Sequence, residues 1–194
     1  MQHLRLEINS MNYDLIIIGA GWAGVSAALR AKELGLKVCL IEKSQIGGTC
    51  LNVGCIPTKA LIQSAKAYSL AKKSNNFGIE ISGPKVNFLK IQERKDKIIQ
   101  QLRSGIQLML KDIDLINGEA NILSNHELAI SGKAIKTKFI LIASGSKPIE
   151  LNTIKFDGKK ILSSDDILNL KEIPKSLLII GGGVIGCEFA SLFS

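Results

Sequence analysis

The spacing of hydrophobic positions changes period several times along this chain, and each change predicts an element. Asp14-Leu15-Ile16-Ile17-Ile18 is a continuous apolar run of strand length, the pattern of a strand buried on both faces of a parallel sheet. Helical spacing follows through Ala28, Leu29 and Leu34, with Gly35 placed to close the helix in a left-handed conformation. Lys37-Val38-Cys39-Leu40-Ile41-Glu42 is a second buried strand, ending in an acid. From Leu51 the helical period returns through Ala60, Leu61, Ala65, Tyr68, Leu70 and Ala71 and fades near Asn75-Asn76. A second long helix is predicted from Asn87 to Lys111, with Ile91, Ile98, Leu102, Ile106 and Met109 as its core positions. Ile113 to Ile142 then alternates in short strands broken at Asn117-Gly118, Ser124-Asn125 and Ser131-Gly132. This predicts a small antiparallel meander that rejoins a parallel sheet at Phe139-Ile140-Leu141-Ile142. Ser163-Ser164-Asp165-Asp166 offers caps for a brief helix over Ile167 to Leu170. After Pro174, Leu177-Leu178-Ile179-Ile180 is expected to be one more parallel strand.

Glycines punctuate two of these strands in the same way. Gly19-Ala20-Gly21-Trp22-Ala23-Gly24 follows the first strand, and Gly181-Gly182-Gly183-Val184-Ile185-Gly186 follows the last. A strand, G-x-G-x-x-G, a helix, a second strand and an acid about twenty residues on make the dinucleotide-binding βαβ unit. Gly19 permits the tight turn, Gly21 lets backbone approach a pyrophosphate, and Gly24 lets helix and strand pack closely. The helix N-terminus offers oriented N–H groups and partial positive charge to phosphates. Glu42 can accept hydrogen bonds from ribose hydroxyls and would repel a 2′-phosphate. Gly181, Gly183 and Gly186 take the same three roles in the second motif. The fold class expected from this order is α/β and Rossmann-like. Ala143-Ser144-Gly145-Ser146, small residues after a parallel strand, would let a ligand come close.

Candidate chemistry is concentrated in Gly47-Gly48-Thr49-Cys50-Leu51-Asn52-Val53-Gly54-Cys55-Ile56-Pro57-Thr58-Lys59. Cys50 and Cys55 are five apart at the entrance to a helical run. In an ideal helix their Cα atoms would lie about 8–9 Å apart, whereas a disulfide tolerates only about 4.4–6.8 Å. The first turn must therefore be distorted for the two to bond, and Gly54 and Pro57 suit such a turn. A bridge held there is strained and readily reduced, so the expected chemistry is thiol–disulfide exchange. Cys39 and Cys187 are read as small buried fillers.

Composition narrows the alternatives. With 46% hydrophobic and 22% charged residues over 194 positions, the chain is an ordinary globular one of one to two domains. No apolar run approaches the roughly 18–20 residues of a membrane span, and Met1 to Ser10 lacks the apolar core of a signal peptide. The opening residues 1–12 are expected to be a tail. Four cysteines are too few for a secreted disulfide scaffold, which points to a reducing, cytoplasmic setting. His3 and His126, in a tail and a turn, do not complete a metal site with the cysteine pair. The net charge of +8 comes from scattered lysines, with Lys66, Lys72, Lys73, Lys90, Lys95 and Lys97 expected on helical solvent faces. With 5% aromatic residues there is little for base stacking, so nucleic acid is not an expected partner.

Two dinucleotide motifs flanking C-x4-C at a helix start resemble the flavin-dependent pyridine nucleotide–disulfide oxidoreductases. Gly47 to Leu61 looks most like the dihydrolipoamide dehydrogenase branch of that family, and glutathione and mercuric reductases carry close variants. The resemblance extends from Tyr13 to Ser194. It implies an FAD-binding domain over residues 13–150, a connection over 151–175, and the start of an NAD-binding domain over 176–194. FAD would rest on Gly19, Ala20, Gly21, Ala23 and Gly24 with Glu42 and Lys43. Gly48, Thr49, Cys50, Lys59, Gly118, Ala120, Ala143, Ser144 and Gly145 would line the rest of the flavin. Cys50 would meet the substrate, Cys55 would lie beside the flavin ring, and Lys59 would pair with Glu188. NAD would rest on Gly181, Gly183, Val184, Ile185, Gly186 and Glu188, and the glycine at 186 resembles NAD-using members.

The resemblance also implies a substrate that is a small dithiol or disulfide, or the lipoyl domain of a 2-oxoacid dehydrogenase complex. It implies a homodimer at full length and a role in cell redox homeostasis. Trp22 departs from the Pro frequent in the flavin motif, with a packing effect near the pyrophosphate expected. The chain ends inside the helix after the second motif, whereas family members are more than twice this long. A fragment without the acid–base His of the later domains is expected to be inactive alone. The alternatives are a sibling reductase acting on glutathione or mercuric ion, and a non-catalytic FAD-binding remnant.

Overall fold

A computed structural model describes residues 12–194; the expected tail before Asn12, with His3, lies outside the described residues. The chain forms two compact units. One comprises the described residues through Cys50 with Arg103–Ser146, the other Leu51–Leu102 with Lys147–Ser194.

The first unit is built on a six-stranded sheet of β1 (Asn12–Ile18), β2 (Val38–Glu42), β3 (Asp114–Asn117), β4 (Ala120–Ser124), β5 (Glu127–Ile130) and β6 (Lys133–Ile142), in the order β3-β2-β1-β6-β5-β4. β1 runs parallel to β2, with Leu15 opposite Val38 and Ile18 opposite Ile41. It also runs parallel to β6, with Ile18 opposite Ile142. β6 is long enough to do two things: its first residues pair antiparallel with β5, Lys133 opposite Ile130, and its remainder pairs with β1. The expected meander is therefore part of the main sheet. β3 departs from that expectation, because it lies parallel to β2, with Cys39 opposite Asp114 and Glu42 opposite Asn117. Parallel pairing needs a long crossover, and residues 43–113 supply one.

Helix α1 (Trp22–Glu33) covers the sheet with Gly24, Val25, Ala28 and Ala31, all buried. Small side chains on this face permit close packing. Its end is the predicted one: Gly35 has φ +80°, its N–H reaches the Lys32 carbonyl at 2.9 Å, and Leu36 N–H reaches Ala31 at 3.1 Å. That pattern satisfies carbonyls the helix would otherwise leave open. The core of the unit joins Tyr13, Ile16, Cys39 and Ile41 of the parallel strands to Leu128, Ile130 and Ile135 of the meander. Tyr13 Oη donates to Asp114 Oδ2 at 3.0 Å.

In the second unit, α3 (Cys55–Lys72) is followed by a 3₁₀ turn over Ser74–Phe77, and later by a 3₁₀ turn over Ile167–Asn169 and helix α5 (Val184–Phe193). Helix α4 (Phe88–Met109) begins in this unit, where Asn87 Oδ1 accepts the Lys90 N–H at 3.1 Å. Leu61, Ile167, Leu168 and Phe189 form the buried cluster, with Val53, Ile91, Leu162, Leu170, Ile179, Leu192 and Phe193 around it. The predicted side-chain cap is absent at Asp166, the residue before Ile167, and the same residues instead close the preceding turn with reciprocal bonds. Ser163 N–H and Oγ donate to Asp166 Oδ2 at 2.8 and 2.7 Å, and the Asp166 N–H returns to Ser163 Oγ at 3.2 Å. These bonds hold the Asp166 carboxyl below the usual carboxylate range.

Three further expectations change. On α4, Ile106 is buried as predicted, but so is Ile99, and Leu110 just past the helix, while Leu102 and Met109 are exposed. Lys95, expected on a solvent face, is only 3% exposed. Leu177–Ile180 is extended but belongs to no strand ladder, and Leu178 is 87% exposed. No described strand pairs with this segment, so its apolar sequence alone does not make it a strand.

Candidate functional site

In the first unit, the carboxyl ends of the parallel strands and the glycine turn meet. Gly19 N–H donates to Ile41 at 2.8 Å, Ala143 N–H to Ile18 at 2.8 Å, and Gly118 N–H to Glu42 at 2.9 Å. Gly19 has φ +104°, and a Cβ there would strike the Ala143 carbonyl oxygen and stand 3.2 Å from the Ser144 Cα. Gly24 has the same restriction, since a Cβ would run into the Gly19 carbonyl oxygen. Gly118 is equally tight, with Ile130 Cγ2 2.7 Å from where its Cβ would be. Gly145, by contrast, faces open space at φ +70°.

The turn also gains a second wall. Gly47 (φ +99°) donates its N–H to the Ala20 carbonyl at 2.7 Å. Gly48 (φ +61°) lies so close to Gly21 that a Cβ on it would be 2.7 Å from the Gly21 Cα. Gly47 is not among the site residues expected from the sequence; its signal there is the Gly47-Gly48 pair itself. Two left-handed residues in succession are cheap only for glycine. Helix α1 begins on Gly21 with no side-chain cap and no acid in its first turn. An uncapped helix N-terminus walled by glycine backbone fits a diphosphate. Ala20 and Ala23 belong to this turn, and Trp22 opens the helix half-exposed, at the position expected to alter packing there.

Glu42 ends β2 beside the turn. Its carboxylate accepts the Ala20 N–H and the Ser44 N–H, each at 2.8 Å. Each oxygen keeps a second lone pair for a hydroxyl. Lys43 pairs with Glu119 at 3.1 Å on the surface, a contact of modest stabilising value. Ala120 packs half-buried against the core as β4 begins.

Helix α2 (Gly48–Val53) carries Thr49 and Cys50 in its first turn, and α3 starts at Cys55. Gly54, at φ −139° and ψ −116°, interrupts the two helices, which is the predicted distortion between the cysteines. The Gly54 carbonyl then accepts both the Thr58 N–H at 3.1 Å and Thr58 Oγ1 at 2.7 Å. Pro57 lies in the first turn of α3, where its missing N–H costs no helical bond. Cys50 and Cys55 are not bonded to each other in this structure; Cys50 is half-buried and Cys55 exposed.

In the second unit the Lys59 ammonium meets the Glu188 carboxylate at 2.6 Å, bringing together the two residues the sequence paired. The second glycine turn reproduces the first. Gly181 has φ +108°, Gly183 starts α5 at φ −75° and ψ 179°, and a Cβ on Gly186 would strike the Gly181 carbonyl oxygen. The corresponding Gly21 angles are −73° and −179°. Val184 and Ile185 are exposed in the first turn of α5.

The profile of the family described as pyridine nucleotide-disulphide oxidoreductase matches residues 13–194. The chain belongs to this family. Among curated members, a dihydrolipoyl dehydrogenase of Bacillus subtilis (strain 168) is 48% identical over 188 residues, covering 93% of this chain and 41% of the relative. A dihydrolipoyl dehydrogenase of Acholeplasma laidlawii is 43% identical over 193 residues, covering 95% of this chain and 57% of the relative. The solved structure of the HOCl-induced flavoprotein disulfide reductase RclA from Escherichia coli is similar with a TM-score of 0.75 and 36% identity, over 93% of this chain and 39% of that one. The chain therefore spans roughly two fifths to three fifths of the length of these oxidoreductases.

The remaining cysteines separate by environment. Cys39 is fully buried, and burial, reinforced by Asp114, pushes its thiol up to about 12. At pH 8 its thiolate fraction is then on the order of 10⁻⁴. Cys187 is exposed, contrary to its reading as a buried filler, and its Sγ donates to the Gly182 carbonyl at 3.4 Å. Brief iodoacetamide treatment of the native chain is expected to modify Cys55 and leave Cys39 unmodified until denaturant is added. Peptide mass mapping would read this, and early alkylation of Cys39 would contradict the buried placement. Among the described residues, no group of three or more His, Cys, Asp or Glu side chains is placed to hold a metal. No described helix is long and apolar enough to cross a membrane.

Proposed function

We propose that this chain carries the FAD-binding and dithiol-bearing part of a flavin-dependent disulfide oxidoreductase of the dihydrolipoyl dehydrogenase type. The observation that carries the reading is the cysteine pair astride the Gly54 break, immediately after a Gly47-Gly48 turn pressed against Gly21. Gly19, Ala20, Gly21, Ala23 and Gly24 would hold the diphosphate of FAD on the α1 terminus, and Glu42 its ribose. Gly48, Thr49, Gly118, Ala120, Ala143, Ser144 and Gly145 would line the remainder, while Cys50, Cys55, Lys59 and Glu188 are assigned to the redox chemistry by their motif. Bound FAD would supply a two-electron acceptor for the dithiol, and NAD at Gly181, Gly183, Val184, Ile185 and Gly186 the onward acceptor.

The chain's own step is an exchange. A thiolate of a substrate dithiol attacks Cys50 Sγ of a Cys50–Cys55 disulfide, forming a mixed disulfide and releasing Cys55 as thiolate. The second substrate sulfur, as thiolate, attacks its own partner sulfur in the mixed disulfide and releases Cys50. The substrate is oxidised by two electrons, the cysteine pair is reduced by two, and two protons are released. Dihydrolipoamide, free or on a lipoyl domain, fits as the dithiol, in a homodimeric cytoplasmic enzyme.

The expected result is that the chain retains FAD through gel filtration. Oxidation should remove two of its four thiols, and dihydrolipoamide should restore them faster than glutathione does. A chain that takes up no FAD, or whose thiol count does not fall by two, would overturn the proposal. Faster restoration by glutathione would instead favour the sibling-reductase reading.

A further inference from the structure

Lys95 is the described charged side chain whose burial nothing in the redox site explains. Its Nζ donates to the Leu168 carbonyl at 2.9 Å, lies 3.5 Å from Asn169 Oδ1 and pairs with Asp96 Oδ1 at 3.1 Å. The three protons of the ammonium thus meet a backbone carbonyl, a side-chain amide and a carboxylate. One turn earlier on α4, Gln92 Nε2 donates to the Leu170 carbonyl at 2.9 Å. A buried ammonium is expensive to desolvate, and only such a complete set of acceptors makes it tolerable. An apolar residue would fill the same space at lower cost, so the charge has a purpose beyond packing.

That purpose follows from what the clamped segment touches. Leu168 and Asn169 belong to the 3₁₀ turn, whose last carbonyls have no helical partner. Ile167 and Leu168 pack with Leu61 of α3 and Phe189 of α5. Leu61 lies two residues after Lys59, and Phe189 directly follows Glu188. The turn therefore packs against both helices, beside the contact that α3 and α5 make directly with each other and close in sequence to the Lys59–Glu188 pair. We propose that Lys95, assisted by Gln92, is a positioning residue: by gripping the carbonyl end of this turn it holds Lys59 and Glu188 in bonding register. The pair's importance rests on its assignment above to the flavin chemistry; the positioning itself does not need FAD.

The test is a mutant box on the intact 194-residue chain without cofactor, measured by urea unfolding. Lys59→Met, Glu188→Gln and the double variant give the coupling between the two residues, first with Lys95 and then with Lys95→Met. A partly exposed pair of this kind should be worth about two- to five-fold in the unfolding equilibrium constant with Lys95 present, and nothing measurable without it. General loss of stability in Lys95→Met would lower all four members of the box alike and leave the coupling intact. If Lys95→Met does not fold, Asn169→Ala and Gln92→Leu each remove one bond of the grip and should each reduce the coupling. A coupling absent from the parent chain, or unchanged in these variants, overturns the proposal. Separately, Glu188→Gln should alter the visible spectrum of chain-bound FAD. An unaltered spectrum would count against the flavin assignment while leaving the positioning judged by the coupling alone.

Discussion

Cys55→Ser should leave a monothiol trapped on Cys50. Cys55 is exposed at the start of α3, so the exchange of sulfur for oxygen should cost little stability. Its effect on chemistry is expected to be large. When the reduced chain meets glutathione disulfide, the Cys50 thiolate takes one glutathione as a mixed disulfide and releases the other as thiolate. Cys55 then attacks Cys50 Sγ and expels the bound glutathione; without Cys55, and with no second thiol on the bound group, the adduct waits for a thiol from solution. Well-oriented intramolecular partners reach effective concentrations of about 10⁵ M or more, against millimolar free thiol. Release should therefore slow by about 10³-fold or more, and the adduct should accumulate as a mass increase on the Cys50 peptide. Cys50→Ser is expected to form its adduct more slowly than Cys55→Ser does, because Cys50 is assigned to meet substrate and Cys55 to return electrons. Faster build-up on Cys55 in that variant would reverse the two roles.

The second large effect is expected at Gly24. A side chain there meets the Gly19 carbonyl oxygen, with the Gly19 carbonyl carbon at 3.0 Å and Ile17 Cγ2 at 3.4 Å. These are two backbone atoms and one branched core side chain, none of which is the loose end of a flexible chain. Gly24→Val must push α1 away from β1 or distort the turn at Gly19, either of which spoils the diphosphate cradle. The predicted outcome is at least about a hundredfold weaker FAD binding by flavin-fluorescence titration, with overpacking destabilisation of about 1–3 kcal/mol. Gly35→Ala is the matched control. Gly35, unlike Gly24, has a positive φ but nothing within 4 Å of a Cβ, so backbone strain alone should cost about 1 kcal/mol and leave FAD affinity unchanged. Equal effects of the two substitutions on FAD binding would mean that the Gly24 contact is not special.

The comparison of particular elements shows why some features could be read early. β1, β2, α1 and its glycine end follow from local patterns, because a two-sided apolar run, a helical period and a left-handed closing residue each act over a few neighbours. A break between the cysteines was legible in Gly54 and Pro57, which suit an irregular turn, and the structure breaks the helix at Gly54 with no bond joining Cys50 to Cys55. β3 was misplaced into the meander because its four residues carry no mark of which neighbour they will meet. That choice belongs to β2, some seventy residues earlier. Lys95 was misread because helical period identifies faces only by hydrophobicity, and a lysine whose every donor finds an acceptor can stand on an inward face. Leu177–Ile180 has strand composition, but a strand is a property of a pair.

By itself, then, the order of amino acids determined the doubly marked glycine turns, the place of the cysteine pair at a helix entrance and the Rossmann-like character of the parallel strands. These depend on steric limits of single residues and on short-range periodicity. Only the tertiary structure decided the strand order β3-β2-β1-β6-β5-β4, the apposition of Gly48 to Gly21 and the burial of Lys95. Each of these joins segments distant in sequence, and their pairing is set by the packing and hydrogen-bond satisfaction of the whole unit rather than by any local preference.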